Sequence, residues 1–356
     1  MKGVVLHGGQ GTRLRPLTFS GPKQLIPVAN KPVSQHVIED LREAGIRDIA
    51  LILGDTFPEL VVSHYGDGSR LGVNITYIYQ GRALGIAHAV LLAEPFVGNE
   101  PFIVYLGDNL LQGGIARYVR EFEEGGYDAM VLLKEVEDPR AFGVAEVRDG
   151  RIARLVEKPR EPPSNLALIG VYFLTPKVFD VIRSLRPSAR GELEITDALQ
   201  LMIERGYNVG YAVHEGWWLD TGKKDDIILA NQLVLDERAA RRVDPGAQVS
   251  NSRIEGRVEV GPGAVIRDSV VRGPASIAEG AVIEGSFVGP YTSVGSGAVI
   301  RRARVQNSVL LDGSEVSDVE LEDSLIGRRA RVLGRPNRNT VRVRLTVGDY
   351  SVVEVE

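Results

Sequence analysis

The sequence predicts an α/β protein in two parts, a mostly parallel sheet followed by a parallel β-helix. Two observations carry this prediction. Over about the first 230 residues, short apolar runs alternate with longer segments of helical periodicity. After about residue 245, a pattern of small and apolar residues repeats at a fixed interval.

The first part contains several near-continuous apolar runs of strand length. They are Val4–Leu6, Ile49–Leu53, Phe102–Leu106 and Ala129–Leu133. Between the first two, Val33, Val37 and Leu41 share one face of a predicted helix. Apolar strands separated by helices are typical of a parallel sheet that is covered on both faces. Ligands of such sheets bind beyond the carboxyl ends of the strands, which is where we expect the functional residues.

The second part repeats every 17 residues. Gly263–Ile266, Gly280–Ile283 and Gly297–Ile300 all read Gly-Ala-Val-Ile, and apolar residues within each repeat recur in steps of six, six and five. A step near six indicates a hexapeptide β-helix, whereas a β-sandwich of short strands would not require a fixed period. The alternating segment from Val341 to Val355 is predicted to be a capping hairpin. The expected domains are therefore residues 1–240, residues 245–334, and a capping hairpin or tail at 335–356.

The composition excludes several classes of protein. The chain has a formal net charge of −5, which argues against nucleic-acid binding, and it has no cysteine for disulfides or thiolate metal sites. No apolar run approaches the length of a membrane span, about 18 residues, and no signal-peptide pattern is present. We therefore expect a cytoplasmic protein without a membrane partner.

A glycine-rich loop follows the first apolar run. Gly8, Gly9 and Gly11 allow the backbone to approach a ligand and to direct N–H groups at phosphates. The loop lacks the Gly-Lys-Ser/Thr of a Walker loop and the third glycine of a dinucleotide fingerprint. Arg13 and Lys23 could flank one triphosphate, the first as a planar donor fork and the second as a point charge.

The loop and the residues after it resemble the sugar nucleotidyltransferases. The run Gly-Gly-x-Gly-Thr-Arg-Leu-x-Pro-x-Thr begins at Gly8, and Pro-Lys-Gln-Leu-x-Pro-Val begins at Pro22. Gln24 and the segment Val28–Pro32 look most like the long-form glucose-1-phosphate thymidylyltransferases. This resemblance implies a Rossmann-like sheet, a left-handed β-helix, and transfer from dTTP to glucose 1-phosphate with release of pyrophosphate.

The resemblance also implies roles for individual residues. The catalytic residues would be Arg13, Lys23 and Asp108. Asp108 and Asp220 would hold Mg²⁺, which prefers hard oxygen ligands. The nucleotide would be bound by Gly8, Gly9, Gly11, Thr12, Gln24, Gln80, Gly85 and Asp108. The sugar phosphate would be bound by Gly143, Glu157, Lys158, Gly170, Val171 and Arg190.

Several alternatives stay open at this level. Short-form relatives often have Tyr where this chain has Phe142, which bears on the identity of the sugar. UTP could replace dTTP or be used beside it, and a non-catalytic regulatory subunit that binds sugar nucleotides is a further reading. A bifunctional acetyltransferase would need a histidine base, but all five histidines precede the repeat. We expect the β-helix to join subunits into a homo-oligomer, with a trimer favoured.

Overall fold

The computed structural model describes residues 1–336 and 342–356. Within them the chain forms two compact units, each made of two separate stretches. The sheet unit consists of Met1–Gly9 and Ser34–Asp220, and the β-helix unit consists of Gln10–Val33 and Thr221–Glu356. The predicted limits of the domains, at residues 240, 245 and 334, are kept as a proposal.

Residues 1–240 contain the first thirteen strands and eight α-helices. The strands are β1 (Lys2–His7), β2 (Pro27–Val28), β3 (Lys31–Pro32), β4 (Asp48–Gly54), β5 (Asn74–Gly81), β6 (Phe102–Leu106), β7 (Asn109–Leu111), β8 (Ala129–Glu135), β9 (Gly143–Arg148), β10 (Arg151–Glu157), β11 (Leu166–Leu174), β12 (Val209–Val213) and β13 (Trp218–Asp220). The helices are α1 (Val33–Glu43), α2 (Pro58–Tyr65), α3 (Ile86–Leu92), α4 (Glu94–Val97), α5 (Ala116–Gly125), α6 (Lys177–Arg183), α7 (Ile195–Glu204) and α8 (Lys224–Arg238). Short 3-10 helices lie at Thr12–Leu14, Leu17–Phe19, Lys23–Leu25, Ser69–Leu71 and Pro139–Ala141.

The sheet unit is built on a nine-stranded sheet. Its main path runs β10-β9-β11-β6-β1-β4-β5, and β8 joins β11 to β12. Strands β6, β1, β4 and β5 are parallel, whereas β11 runs antiparallel to β6, β8 and β9. The Rossmann-like α/β class is thus confirmed, and the sheet is mixed because β11 enters its middle in the opposite direction. A second sheet, of two strands, pairs β7 with β13.

The apolar runs singled out in the sequence form the centre of this sheet. Val4, Ile52 and Val104 have no more than 1% of their surface exposed. The predicted face of helix α1 is buried as well, since Val37 and Leu41 are fully enclosed. Continuous apolar strands bury both of their faces, so helices must cover the sheet on each side. The carboxyl ends of β1 and β6 are left as the place where polar loops can begin.

In the part that the structure describes, the β-helix unit ends in twenty short strands. They are β14 (Arg242–Val243), β15 (Gln248–Ser250), β16 (Arg253–Glu255), β17 (Val258–Val260), β18 (Val265–Arg267), β19 (Val270–Arg272), β20 (Ala275–Ile277), β21 (Val282–Glu284), β22 (Phe287–Val288), β23 (Thr292–Val294), β24 (Val299–Arg301), β25 (Arg304–Gln306), β26 (Val309–Leu310), β27 (Glu315–Ser317), β28 (Glu320–Glu322), β29 (Leu325–Ile326), β30 (Arg331–Leu333), β31 (Arg342–Val343), β32 (Thr346–Val347) and β33 (Val352–Glu354).

These strands form three parallel sheets in which every third strand is a neighbour. The register follows the sequence repeat, since Ile266 pairs with Ile283 and Ile283 with Ile300. All three isoleucines are fully buried in a core that runs along the coil. This arrangement confirms the β-helix expected from the 17-residue period and is consistent with the left-handed form.

The prediction of a capping hairpin is wrong for residues 342–356. Strands β31, β32 and β33 instead pair in parallel with β28, β29 and β30 and add a further coil. Residues 337–341 of the predicted segment lie outside the described residues. Alternation of apolar and polar residues indicates that one face of a strand is buried, but it does not identify the neighbouring strand. Here Val347 is directed into the core of the coil.

None of the helices within residues 1–336 and 342–356 has both the length and the apolar character needed to cross a membrane.

Candidate active site

In the sheet unit, Asp108 lies just beyond the carboxyl end of the central strand β6. The N–H of Gly107 still donates to the carbonyl of Leu6 at 2.9 Å, so the ladder between β1 and β6 continues to the residue before Asp108. Asp108 is 8% exposed, and its Oδ1 accepts from Nδ2 of Asn109 at 3.1 Å. The predicted position of Asp108 at the edge of the sheet is the position observed.

Asn109 links this aspartate to the second one. In the two-stranded sheet Asp220 stands opposite Asn109, and Nε1 of Trp218 donates to Oδ1 of Asn109 at 2.7 Å. Asp108 and Asp220 therefore flank the same asparagine, one along the chain and one across the ladder. Within the described residues, no group of three or more His, Cys, Asp or Glu side chains forms a metal site. Two carboxylates suit a cation that takes its other ligands from phosphates and water, as Mg²⁺ does.

The segment expected to bind the base lies beside the start of the glycine-rich loop. A Cβ atom on Gly8 would be 3.8 Å from Oε1 of Gln80. Nε2 of Gln80 donates to the carbonyl of Gly85 at 3.2 Å and lies 3.2 Å from Nδ1 of His88. Within the sheet unit, Gln80 thus connects three parts of the predicted nucleotide site.

Gly85 has a structural requirement for glycine. Its φ is +102°, and a Cβ atom there would lie 2.4 Å from the carbonyl oxygen of Leu193 and 2.7 Å from its nitrogen. Leu193 also donates to the carbonyl of Leu84 at 2.8 Å and accepts from the N–H of Ala87 at 3.0 Å. The space that a side chain would take is therefore filled by the backbone before α7. Room for a base beneath Gly85 stays a prediction.

The residues predicted to bind the sugar meet at the ends of β9 and β10. Glu157 pairs with Gly143 across the antiparallel ladder. Oε2 of Glu157 accepts from Oγ1 of Thr196 at 2.6 Å, and a Cβ atom on Gly143 would lie 2.9 Å from the same hydroxyl. A side chain at Gly143 would thus occupy the space beside this carboxylate.

Two cations accompany Glu157. Nη2 of Arg190 lies 3.2 Å from Oε1 of Glu157 and 2.8 Å from Oε1 of Glu194, and Nζ of Lys158 lies 3.8 Å from Oε1 of Glu157. Lys158 has a φ of +41°, a left-handed conformation that is strained for a residue with a side chain and that is often found at functional sites. Its side chain is 46% exposed. Both cations thus lie within 4 Å of the same carboxylate oxygen of Glu157.

The carboxylates of Glu157, Glu194 and Asp197 outnumber the two neighbouring cations, Lys158 and Arg190. Burial, followed by the charges of Glu194 and Glu157, raises the pKa of Asp197 above its ordinary value, and the charge of Arg190 opposes this shift.

The predicted residues Gly170 and Val171 lie on β11. A Cβ atom on Gly170 would be 3.2 Å from Cγ of Asn109, whereas Val171 is fully buried in the core, which does not favour contact of its side chain with a sugar.

The β-helix unit holds the rest of the glycine-rich loop. Gly11 has a φ of +61°, and a Cβ atom there would lie 2.9 Å from Cγ2 of Thr18 and 3.1 Å from Cβ of Lys23. Oγ1 of Thr18 donates to the carbonyl of Gly11 at 2.7 Å. Two stretches of the signature are thereby held against each other, which brings Lys23 next to the loop.

Other predicted residues of this unit differ in their exposure. Thr12 and Arg13 are exposed, in the 3-10 helix that follows Gly11. Gln24 is 1% exposed, in the 3-10 helix Lys23–Leu25. A hydrogen bond from Gln24 to a pyrimidine stays a prediction.

Comparison with known proteins gives the family of this chain. Residues 2–237 match the model of the nucleotidyl transferase family. The chain belongs to the nucleotidyl transferase family. Enzymes of this family generally use a divalent metal ion, in agreement with the pair of aspartates.

Three relatives of this nucleotidyl transferase illustrate its similarities. It is 46% identical over 377 residues, covering 100% of both chains, to a glucose-1-phosphate thymidylyltransferase of Streptomyces antibioticus. It is 53% identical over 261 residues, covering 73% of this chain and 72% of the relative, to the low-salt glycan biosynthesis nucleotidyltransferase Agl11 of Haloferax volcanii. A solved structure of a protein assigned as glucose-1-phosphate thymidylyltransferase from Bacillus anthracis has 44% identity and a TM-score of 0.62, over 65% of this chain and 94% of that chain.

Sequence reasoning about this nucleotidyl transferase missed Asp226. Its Oδ2 accepts from the N–H of Lys223 at 2.9 Å, as part of the cap of α8. Burial raises the pKa of Asp226, and the hydrogen bond from Lys223 and the charges of Lys223 and Arg13 oppose this shift. The signal available in the sequence was an acidic residue in the first turn of a helix, directly after the Asp220 segment. Asp226 thus lies close enough to Arg13 for their charges to interact.

Proposed function

We propose that the protein transfers a thymidylyl group from dTTP to glucose 1-phosphate and forms dTDP-glucose and pyrophosphate. The observation that carries this proposal is the similarity over the whole length of both chains to a glucose-1-phosphate thymidylyltransferase. The signature from Gly8 to Pro32 supports the same reaction.

The reaction is a direct in-line displacement at the α-phosphorus of dTTP. A phosphate oxygen of glucose 1-phosphate forms the new bond to this phosphorus. The bond between the α-phosphorus and the bridging oxygen breaks, and pyrophosphate leaves with its electron pair. The attacking oxygen is already anionic near neutral pH, so no general base is required. The main barrier is the approach of two polyanions, and the protein lowers it by positioning and charge neutralisation.

The opening loop is the binding site of the triphosphate. Backbone N–H groups of Gly8, Gly9, Gly11 and Thr12 donate to phosphate oxygens, as glycine-rich turns do in other phosphate sites. Arg13 and Lys23 supply the positive charge. The contact between Gly11 and Lys23 supports this role, since it fixes where the lysine leaves the backbone.

Asp108 and Asp220 would hold Mg²⁺. Their carboxylate oxygens are the hard ligands that this ion prefers. When bound, Mg²⁺ would neutralise negative charge on the phosphates. Removal of divalent ions with EDTA is therefore expected to stop turnover, and added Mg²⁺ is expected to restore it.

Glutamine side chains recognise the base, and the edge of β9 and β10 recognises the sugar. Gln24 and Gln80 each offer an amide that can donate and accept at once, as the imide edge of thymine requires. Gly85 belongs to the same segment. Glu157 accepts from sugar hydroxyls beside the backbone of Gly143. Lys158 and Arg190 bind the phosphate, while Gly170 and Val171 border the sugar through their backbone.

Uridylyl transfer is the second candidate activity. UTP lacks only the methyl group of the thymine ring, and a pocket distinguishes such a difference by about 1–3 kcal/mol, or about 10–200-fold. We therefore expect measurable turnover of UTP at a lower kcat/KM than that of dTTP.

An assay of pyrophosphate release tests both candidates. The purified protein is incubated with Mg²⁺, each nucleoside triphosphate in turn, and the 1-phosphates of glucose, galactose, mannose, glucosamine and N-acetylglucosamine. The expected result is the highest kcat/KM for dTTP with glucose 1-phosphate, and dTDP-glucose as the product on anion exchange. Higher kcat/KM for another pair would contradict the substrate assignment, and no turnover of any pair would contradict the reaction.

Association of subunits through the β-helix is part of the same proposal, with a trimer favoured. Sedimentation equilibrium is expected to give three times the chain mass of 38.8 kDa. A mass equal to one chain would contradict the proposal. Location in the cytoplasm stays a prediction.

A further inference from the structure

We propose that Asn231 is a positioning residue that holds the segment carrying Lys23 and Gln24 in its active shape. The proposal rests on the proposed nucleotidyl transfer, because it concerns the segment that would bind dTTP. Asn231 lies on α8 in the β-helix unit and is fully buried. Neither its position in the sequence nor the signature loop points to it.

The side chain of Asn231 makes three hydrogen bonds to two different parts of the β-helix unit. Its Oδ1 accepts from the N–H of Ala29 at 2.9 Å and from Oγ of Ser293 at 2.6 Å. Its Nδ2 donates to the carbonyl of Tyr291 at 2.8 Å. One amide therefore joins the signature segment to the coil around β23. A buried amide with this set of partners has little freedom to move.

The point of attachment on the signature segment is a strained turn. Ala29 and Asn30 connect β2 to β3, and their φ angles are +50° and +62°. Two consecutive positive φ angles characterise a tight hairpin turn that usually contains glycine. Such a conformation persists only where neighbouring groups hold it. The hydrogen bond from Ala29 to Asn231 is one such constraint.

Asn30 provides a second contact of the same turn. Its Nδ2 lies 3.0 Å from the carbonyl of Ser276, 2.9 Å from Oγ of Ser276 and 3.2 Å from the carbonyl of Val294. Ser276 and Ser293 alternate with the core residues Ala275, Ile277 and Val294, so they point outward, yet both are buried. The turn and α8 cover this outer face of the coil.

The constraint extends to the residues that would bind the nucleotide. The N–H of Val33 donates to the carbonyl of Ile26 at 3.1 Å, and the N–H of Ile26 donates to the carbonyl of Lys23 at 3.1 Å. The 3-10 helix of Lys23 and Gln24 is thus closed onto the base of the β2–β3 hairpin. Displacement of the turn would shift this helix with it. Because small displacements of positioning groups reduce rates strongly, Asn231 can affect turnover without touching a substrate.

The test compares Asn231→Ala with a matched control on the same helix, Gln232→Ala. Gln232 also binds the coil, through its Nε2 and Oδ1 of Asn307 at 2.7 Å. Initial rates are measured with dTTP and glucose 1-phosphate varied separately. We expect Asn231→Ala to lower kcat/KM for dTTP by about tenfold or more, with the KM for glucose 1-phosphate within about twofold of the parent value. Gln232→Ala should leave all constants within about twofold.

A more conservative variant guards against simple loss of folding. Ser293→Ala removes only the hydrogen bond from Oγ of Ser293 to Asn231 and keeps the bonds of Asn231 to Ala29 and Tyr291, so its kcat/KM for dTTP should lie between those of the parent and Asn231→Ala. Circular dichroism and sedimentation check that each variant is folded and assembled as the parent. Equal losses in Asn231→Ala and Gln232→Ala, or parent-like kinetics of a folded Asn231→Ala, would overturn the proposal.

Hydrogen exchange separates this proposal from the proposed function. In Asn231→Ala, peptides from residues 23–33 should exchange faster, whereas peptides from β1 should keep the parent rate. If the parent transfers no nucleotide at all, the proposed function fails and exchange alone decides whether Asn231 holds the segment. Unchanged exchange of residues 23–33 would refute the positioning role whatever the kinetics show.

Discussion

Lys23 lies within the opening signature, beside Gly11. The Cβ of Lys23 and Cγ2 of Thr18 fill the space beside that glycine, so the lysine is held close to the backbone of the glycine-rich loop. Asp108 is positioned by strand β6, because the hydrogen-bond ladder of this strand continues to the residue before it. Lys23 and Asp108 are charged and belong to the predicted active site, so their replacement tests the proposed reaction directly.

Replacement of either charged residue is expected to reduce turnover strongly while the fold persists. Lys23→Ala and Asp108→Asn should each lower kcat by about 10²–10³, the usual effect of removing one well-placed group that stabilises transition-state charge. The measurement is the rate of pyrophosphorolysis of dTDP-glucose. Lys177→Ala, which removes a cation paired with Asp128 at 2.6 Å away from the predicted residues, is the control. Near-parent rates in Lys23→Ala or Asp108→Asn would contradict the assigned roles.

Asp197 is expected to reduce the stability of the protein at neutral pH. Its pKa is raised in the folded state by burial and by the charges of Glu194 and Glu157. Between the ordinary pKa, about 3.9, and the raised one, the folded state binds more protons than the unfolded state, so stability falls as pH rises. Asp197→Asn should therefore increase the free energy of unfolding at neutral pH.

The pH dependence identifies the cause of that increase. The gain from Asp197→Asn should shrink as pH falls through the raised pKa and vanish below about pH 4. Urea unfolding at a series of pH values measures it. Asp55→Asn, at an exposed carboxylate outside the group, controls for the loss of one negative charge. A gain that does not change with pH would show that burial and charge repulsion are not its source.

Short elements place the polar residues of the candidate site. Strands β7 and β13 contain three residues each, and their pairing sets Asp220 opposite Asn109. The loop before α3 is fixed in another way, because its backbone packs directly on that of Leu193 before α7. Such short elements have weak preferences of their own and depend on their partners.

A pair of glycine variants tests the packing at the start of α3. Gly85→Ala combines a positive φ with a Cβ atom 2.4 Å from the carbonyl oxygen of Leu193, whereas Gly81→Ala has a φ of +65° and no atom within 4 Å. We expect Gly81→Ala to lower the free energy of unfolding by about 1–2 kcal/mol and Gly85→Ala by about 3 kcal/mol or more. Equal losses in urea unfolding would contradict the close backbone approach.

At the level of the whole molecule, the signature segment belongs to the β-helix unit. Gln10–Val33 forms one compact unit with Thr221–Glu356. Apart from the turn at Ala29, Oγ of Ser20 donates to Oδ2 of Asp349 at 2.7 Å, and Nη2 of Arg328 donates to the carbonyl of Leu25 at 3.4 Å. Residues of the middle turns and of the last turns of the coil therefore contact the segment that would bind dTTP.

A chain that ends at residue 240 is expected to lose activity, because it lacks the coil that contacts the signature segment. Removal of the coil takes away the partners of Ser20, Leu25 and Asn30, so the segment loses its constraints although every predicted site residue remains. We expect kcat/KM for dTTP to fall by about tenfold or more, together with the midpoint of thermal unfolding. Parent-like kinetics of the shortened chain would show that the segment keeps its shape without the coil.

Much of the fold could be predicted because apolar runs and repeats in the sequence reflect the burial of the residues that form them. The apolar runs predicted β1, β4, β6 and β8, and the 17-residue period predicted the stacked coils. The last coil was mistaken for a hairpin, since alternation tells which face is buried and not which strand lies beside it. The reversed direction of β11 was missed for the same reason.

The sequence by itself determined the family of the chain and the class of its two parts, and it predicted the residues that would bind the proposed substrates. Only the tertiary structure decided that Asp220 faces Asn109, that Leu193 fills the space beside Gly85, and that Asn231 holds the turn at Ala29. These contacts join residues far apart in the chain. A local pattern fixes the burial and the backbone preference of a residue, whereas its partners depend on how distant segments pack.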